Sequence, residues 1–293
     1  MHTPTASVVI PAHNEEAVIQ RCLSALLDGL EPGAAEIIVA CNGCRDRTAE
    51  LARAMGPEII VLETEVASKS AALNLGDDRA SAFPRVYLDA DVVLRGSALA
   101  EIVRALADAD GPLAAGAAMH VELGDRPWTV QAYYRVWTAL PYVTEDLIGS
   151  GVYALSQAGR ARFDRFPAII ADDLFVHRLF APGERRTIKS ATFTVYPPAT
   201  LGALLHVHGR RRAGNLEYEQ TAGAAADQRS GESTSHALLA LARDPRWWPS
   251  LAVYASIVVA GKARGRWKAR FGDLKVWERE VTSRTEQPQE VER

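Results

Sequence analysis

Two aspartates, Asp89 and Asp91, flank Ala90 directly after the apolar run Arg85–Leu88. Side chains at i and i+2 of an extended segment point the same way, so this spacing predicts two carboxylates facing one point where a strand ends. Hard oxygen ligands of that kind suit Mg or Mn, which favour one or two carboxylates together with substrate phosphate. A solvated turn is the competing reading, because aspartate is common where strands end. A second acidic pair, Asp172 and Asp173, opens a segment of helical spacing. Adjacent helical positions diverge, so one of these acids is expected to serve the chemistry and the other to cap the helix or accept a hydrogen bond. Polar side chains also follow two further apolar runs, in Pro11-Ala12-His13-Asn14-Glu15-Glu16 and in Asn42-Gly43-Cys44-Arg45-Asp46. Imidazole and guanidinium groups gather at His206, His208, Arg210, Arg211 and Arg212.

The elements that must position these residues follow from periodicity. Residues 7–11, 36–40, 58–62 and 85–88 are short apolar runs that read as strands buried on both faces. Between them Val18, Ile19, Cys22, Leu23, Leu26 and Leu27 recur at helical spacing, with Asn14 placed as the cap and Glu15 and Glu16 in the first turn. Residues 48–55 and 70–75 carry two more helices. This alternation predicts an α/β fold with a mixed, mostly parallel sheet flanked by helices. Beyond Gly111, strand-like pieces at 113–121, 152–155 and 187–196 mix with helical ones at 128–140 and 172–180, which extends the sheet in partly antiparallel fashion. Residues 221–235 lack apolar periodicity and read as a loop, either a lid near a site or a plain linker. A helical extension follows, and then a polar tail.

Composition narrows the functional classes. The chain has 293 residues, 48% hydrophobic and 24% charged, with a formal net charge of -3. That is too apolar for intrinsic disorder, and the longest apolar runs fall short of the roughly 20 residues that span a bilayer. A near-neutral balance gives no pull toward nucleic acid. Three cysteines are too few for a disulfide scaffold, and residues 1–7 lack the features of a secretory signal, so a cytoplasmic location is expected. No G-x-G-x-x-G follows the first strand, and Ser68-Lys69-Ser70 lacks the glycines of a P-loop, which disfavours dinucleotide and P-loop chemistry.

Taken in order, the motifs resemble the inverting family-2 glycosyltransferases of the GT-A fold. Val9-Ile-Pro-Ala-His-Asn-Glu-Glu16 is similar to that family's V-I-P-x-x-N-E-E, and Cys41-Asn-Gly-Cys-Arg-Asp-Arg-Thr48 to its D-D-G-S-x-D-x-T. Lys69-Ser-Ala-Ala-Leu-Asn-Leu-Gly76 resembles its K-x-x-A-L-N-x-G, Asp89-Ala-Asp91 its metal-binding D-x-D, and Asp172-Asp173 the acids of its E-D-x-x-L. The resemblance implies a nucleoside-diphosphate sugar as donor, an unidentified hydroxyl acceptor and a divalent metal, Mn or Mg. It implies Asp91 and Asp89 as metal ligands, with His208 or His206 as candidate additions. Pro11, Ala12, His13, Asn14, Glu15, Asn42, Lys69, Asp89, Ala90 and Arg212 would contact the donor. Arg211, or Arg210 or Arg212 in its place, would lie against the diphosphate, and Asp173, with Asp172 as rival, would be the general base. Cys41 and Asn42 stand where the family has its first aspartates, so recognition of the nucleotide base is expected to differ.

Cys41-Asn-Gly-Cys44 has the C-x-x-C spacing that opens thioredoxin-like redox sites, but reads better as a variant nucleotide loop. Residues 251–260 run into a basic segment at 261–270 behind Trp247 and Trp248. This is either a helix packed on the catalytic domain or a peripheral contact with the inner face of a membrane, which would suit a lipid-linked acceptor. Trp128, Tyr133, Tyr134 and Trp137 read as core or as a stacking platform. The expected division is a transferase domain at 1–215, a flexible loop and helical extension at 216–284 and a disordered tail at 285–293. The rival functions are a sugar-phosphate nucleotidylyltransferase and a non-catalytic nucleotide-binding scaffold.

Overall fold

The computed structural model describes residues 4–108, 110–144, 150–169, 171–222 and 228–271. Eight strands form one sheet: β1 Ala6–Ala12, β2 Ala35–Asn42, β3 Ile59–Thr64, β4 Arg85–Leu88, β5 Val93–Leu94, β6 Ala114–Val121, β7 Val152–Leu155 and β8 Arg185–Val195. The helices are α1 Ile19–Leu27, α2 Thr48–Arg53, α3 Lys69–Arg79, α4 Gly96–Ala107, α5 Trp128–Trp137, α6 Pro141–Thr144, α7 Gln157–Arg160, α8 Asp172–Leu179, α9 Leu201–Ala222, α10 Gln228–Ala242 and α11 Trp248–Phe271. The chain divides into two compact units. One comprises Met1–His120 and Tyr142–Val195, the other Val121–Pro141 and Tyr196–Arg293.

In the first unit the strand order is β3-β2-β1-β4-β7-β6-β8-β5. Pairing is parallel from β3 to β4 and antiparallel between β4 and β7, β6 and β7, and β5 and β8. This is the mixed, mostly parallel sheet expected from strands that are apolar on both faces. Alternate residues feed two cores. Val8, Ile10, Val86 and Leu88 pack with Ile19, Leu23 and Leu26 of α1 on one face; Val9, Tyr87, Tyr153 and Leu155 pack with Leu73 of α3 and Val176 of α8 on the other. The second core therefore fixes the two helices whose first residues are Lys69 and Asp172. Gly76 makes the approach of α3 close, since a Cβ there would stand 2.4 Å from Val9 Cγ1.

The second unit is helical. Tyr133 of α5 stacks on Tyr254 of α11 with ring centroids 5.3 Å apart, and Tyr133 and Trp137 are buried while Trp128 is exposed. Tyr133 and Trp137 are thus core residues, which resolves half of the aromatic ambiguity.

Two local expectations are corrected. Asn14 does not cap α1: the cap position is Val18, and Asn14 takes a left-handed conformation (φ +53°) in the preceding loop. The segment read as a loop at 221–235 is helical to Ala222 and again from Gln228. A mostly polar helix leaves no apolar stripe to read, so periodicity missed it. Residues 223–227 and the tail at 285–293 lie outside the described residues.

Candidate active site

Asp89 and Asp91 do not sit on an extended segment. β4 ends at Leu88, and the chain turns, the Val92 N–H donating to the Asp89 carbonyl at 3.1 Å. The alternation argument for the pair therefore fails, and other contacts orient Asp89. Its N–H donates to the Gly151 carbonyl at 2.8 Å. Gly151 has φ +110°, and a Cβ there would lie 2.4 Å from Val92 Cγ2, so only glycine lets the chain entering β7 come this near. Asp91 is half-buried, and its carbonyl accepts from Arg21 Nη2 at 3.5 Å; Ala90 between the acids is buried.

Lys69 joins two acids from different elements. Its Nζ lies 2.8 Å from Asp89 Oδ1 and 3.1 Å from Asp172 Oδ1. Burial works against the ammonium, but Asp172 and Asp89 outweigh it and hold Lys69 above its ordinary pKa. Asp172 is 3% exposed, and Tyr153 donates its hydroxyl to the other oxygen, Oδ2, at 3.3 Å. Burial pushes the Asp172 carboxyl up to about 6, with Lys69 opposing and Asp173 and Asp89 adding to the rise. Asp173 is half-buried and accepts the Leu174 N–H at 2.8 Å.

Tyr153 was absent from the sequence reading. It pairs with Tyr87 across β4 and β7, and the two rings stack at 4.9 Å. Tyr87 in turn donates to Asp77 Oδ1 at 2.9 Å, and Asp77 is ion-paired to Arg85 and Arg160. The available signal was the strand 152–155 itself, whose alternate residues must face the α3 and α8 side if Val152 and Ala154 face the other.

The first two strand ends are stitched to each other. His13 Nδ1 donates to the Asn42 carbonyl at 2.5 Å, Asn14 Nδ2 donates to His13 Nε2 at 3.3 Å, and the Arg45 N–H donates to Asn14 Oδ1 at 2.7 Å. Glu15 is buried, its N–H donating to Thr48 Oγ1 at 2.7 Å. Pro11 and Ala12 end β1 in the core. Asn42 has no exposed surface; its Nδ2 donates to the Ala12 carbonyl at 3.0 Å, while Oδ1 has no hydrogen-bond partner among the described residues. The structure thus brings Pro11, Ala12, His13, Asn14, Glu15 and Asn42 together, and Lys69, Asp89 and Asp172 together.

The remaining candidates belong to the other unit. His208 lies on α9 with Nε2 2.6 Å from the Tyr133 hydroxyl, and burial, with Arg211 adding to the effect, pulls its pKa down to about 4. Arg211 lies over the Trp137 ring at 5.6 Å. Arg212 packs beside Gly265, where a Cβ would stand 2.7 Å from Arg212 Cβ. Among the described residues no group of three or more His, Cys, Asp or Glu side chains could hold a metal by itself, and no helix is long and apolar enough to cross a membrane.

Residues 7–164 match the family described as glycosyl transferase family 2. The glycosyltransferase AglE of Haloferax volcanii is 36% identical over 93 residues, which are 30% of this chain and 31% of that relative. Among solved structures, a mannosyltransferase of Pyrobaculum calidifontis in complex with GDP-Man and Mn2+ aligns with a TM-score of 0.63 at 18% identity, over 92% of this chain and 88% of that one. The glucosyl-3-phosphoglycerate synthase of Mycobacterium tuberculosis, in complex with Mn2+, UDP-Glc and phosphoglyceric acid, gives 0.55 at 21% identity, over 76% and 82%. At such identities the likeness establishes the fold, the mixed sheet of the GT-A glycosyltransferases.

Proposed function

Because the chain belongs to glycosyl transferase family 2, we propose that it moves a sugar from a nucleoside-diphosphate sugar to an acceptor hydroxyl in one inverting displacement, with Asp173 as general base. The division of labour between the two acids that open α8 carries this reading. Asp172 is buried, with one oxygen on Lys69 and the other on Tyr153. Asp173 keeps a half-exposed carboxylate on the same turn. A base must be reachable by the hydroxyl whose proton it takes, which favours Asp173.

Asp91 and Asp89 are the proposed holders of Mn or Mg, in keeping with the ion in the relatives of like fold. Two carboxylates suit an ion that takes one or two of them and completes its shell from a diphosphate. Such an ion, when bound, supplies positive charge to the departing diphosphate. Lys69 lies between Asp89 and Asp172, and its single positive charge reduces the repulsion of these two acids for each other and for the donor. Arg211, with Arg210 and Arg212 beside it, is assigned to the diphosphate. His208, whose Nε2 is engaged with Tyr133, is assigned to holding that tyrosine rather than to the metal. Asn42, which has no exposed surface, is assigned an indirect part in donor binding, its Nδ2 holding the Ala12 carbonyl of the neighbouring strand end. Pro11, Ala12, His13, Asn14, Glu15 and Ala90 complete the proposed donor contacts.

A peripheral membrane contact and a lipid-linked acceptor find support in the outer stripe of α11. Trp248, Ala252, Ala255 and Val259 fall at i, i+4, i+7 and i+11 and are all exposed, Trp248 by 60% and Val259 by 67%. An exposed helix stripe is normally polar. The same helix carries Lys262, Arg264, Arg266, Lys268 and Arg270 and no acidic residue, the pattern of an interfacial helix on anionic lipid.

Calorimetric titration with UDP-, GDP-, dTDP- and CMP-sugars, with and without Mn, tests the donor assignment. One nucleotide class should bind, more tightly with Mn. Absence of binding under every metal condition would overturn the reading.

A further inference from the structure

The transfer reaction leaves the C-x-x-C of the second strand end unused. Cys41 is the penultimate residue of β2, buried in the core and paired with Ala12 of β1; Cys44, three residues on, is half-exposed and packs against the same cluster. Gly43 turns the chain between them. Its φ is +57°, its N–H donates to the Thr64 carbonyl at 2.7 Å, and a Cβ there would stand 2.8 Å from Ala67 Cβ. Cys41 is the register partner of Ala12 on β1, and Cys44 Sγ lies 3.4 Å from the Ala12 carbonyl, so the turn folds the second thiol back toward the first.

The pair is asymmetric in the way thiol exchange requires. The neighbouring Cys41 thiol pulls Cys44 down to about 6, against its own partial burial, and the Asn14 N–H assists. The influence of Cys44, together with burial, pushes Cys41 up. Cys44 is therefore the accessible nucleophile and Cys41 the adjacent resolving thiol. The third cysteine, Cys22, lies on the inner face of α1, where burial pushes its thiol up and keeps it out of such chemistry.

Cys44 also holds the first strand end. Its Sγ accepts the Asn14 N–H at 3.4 Å and, as a thiol, donates to the Ala12 carbonyl at 3.4 Å. Both partners belong to the loop assigned above to the donor.

We propose that Cys41 and Cys44 are a modification site, closing to a reversible disulfide by exchange with a low-molecular-weight disulfide, and that closure weakens nucleotide binding. The Cys44 thiolate attacks one sulfur of R–S–S–R, forming Cys44–S–S–R and expelling R–S⁻. Cys41 gives up its proton as it attacks the Cys44 sulfur, displacing the second R–S⁻ and forming the Cys41–Cys44 bond. The protein loses two electrons and two protons, and the small disulfide becomes two thiols. Closed, the Cys44 sulfur is committed to Cys41 and is a poorer acceptor for the Asn14 N–H, so the loop that ends the first strand loses that tie. The consequence for binding rests on the donor reading; the disulfide does not.

The test exposes the full-length reduced protein to excess hydroxyethyl disulfide, blocks remaining thiols with iodoacetamide, maps the peptides by mass spectrometry, and titrates reduced and oxidised protein with UDP and GDP. The expected product links Cys41 to Cys44 and leaves Cys22 unmodified before blocking. Cys41→Ser should accumulate the mixed disulfide at Cys44, and Cys44→Ser should resist the reagent. Nucleotide affinity should fall about tenfold on oxidation, the scale of one lost hydrogen bond to a charged group, and return with dithiothreitol. A wild-type protein that stops at the mixed disulfide, or oxidised protein that binds nucleotide as well as reduced protein, would overturn the proposal. If reduced protein binds no nucleotide, the donor reading falls and takes the binding consequence with it, while the peptide map still decides the disulfide.

Discussion

Lys69 Nζ lies 3.1 Å from Asp172 Oδ1, an ion pair that ties the first residue of α3 to the first residue of α8. The two helices share one core face, so the pair sets the spacing of the turn from which Asp173 projects. Removing one partner of a buried pair leaves a charge with neither water nor a counterion.

Lys69→Met should therefore lower unfolding stability by about 3 kcal/mol, the low end for breaking a buried pair, because the lysine side chain keeps 23% of its surface exposed. Urea unfolding at neutral pH measures it. A loss below about 0.5 kcal/mol, typical of exposed pairs, would mean the contact does not order the site.

His208 gives a pH signature. Its folded pKa, about 4, is below its unfolded value, so it contributes stability above the unfolded pKa and loses it as pH falls toward the folded one. The stability difference between wild type and His208→Gln should accordingly shrink between pH 6.5 and 4, the range bounded by the two values. Thermal unfolding of both proteins across that range reads the trend. A constant difference would place His208 in a more solvated setting.

Gly43→Ala forces a Cβ into a left-handed position 2.8 Å from Ala67 Cβ. The expected loss is about 1–3 kcal/mol, from backbone strain and displacement of the neighbouring chain. Denaturant titration checks it, and a neutral effect would show that this turn has room to relax.

For the outer stripe of α11, Trp248→Glu combined with Val259→Glu should abolish sedimentation with vesicles containing phosphatidylglycerol and leave folding unchanged, since both side chains are exposed. Equal sedimentation of variant and wild type would remove the membrane contact.

Much of this architecture was legible in the sequence. Within the runs 7–11 and 36–40, positions 8–11 and 37–40 are apolar without alternation, which a sheet covered on both faces accommodates, and β4 and β7 fall at the residues expected for them. The site was legible as motifs but not as geometry. The spacing of Asp89 and Asp91 suits an extended segment, yet the chain turns there, and a lysine twenty residues earlier orients Asp89. Asn14 looked like a helix cap because its residue type favours both caps and left-handed turns; only its contacts with His13 and Arg45 distinguish them. Tyr153 was legible only as a strand residue on the face opposite Val152 and Ala154, because its contact with Asp172 depends on the packing of α8 against that face.

The central claim, that Asp173 takes the acceptor proton while Asp172 is held in the ion pair, is tested most directly by Asp173→Asn assayed for both donor binding and sugar transfer. Donor affinity should stay within about twofold of wild type while turnover drops by about 10² to 10⁴, the usual contribution of a general base. Turnover within a factor of a few of wild type, with folding and donor binding intact, would contradict the account.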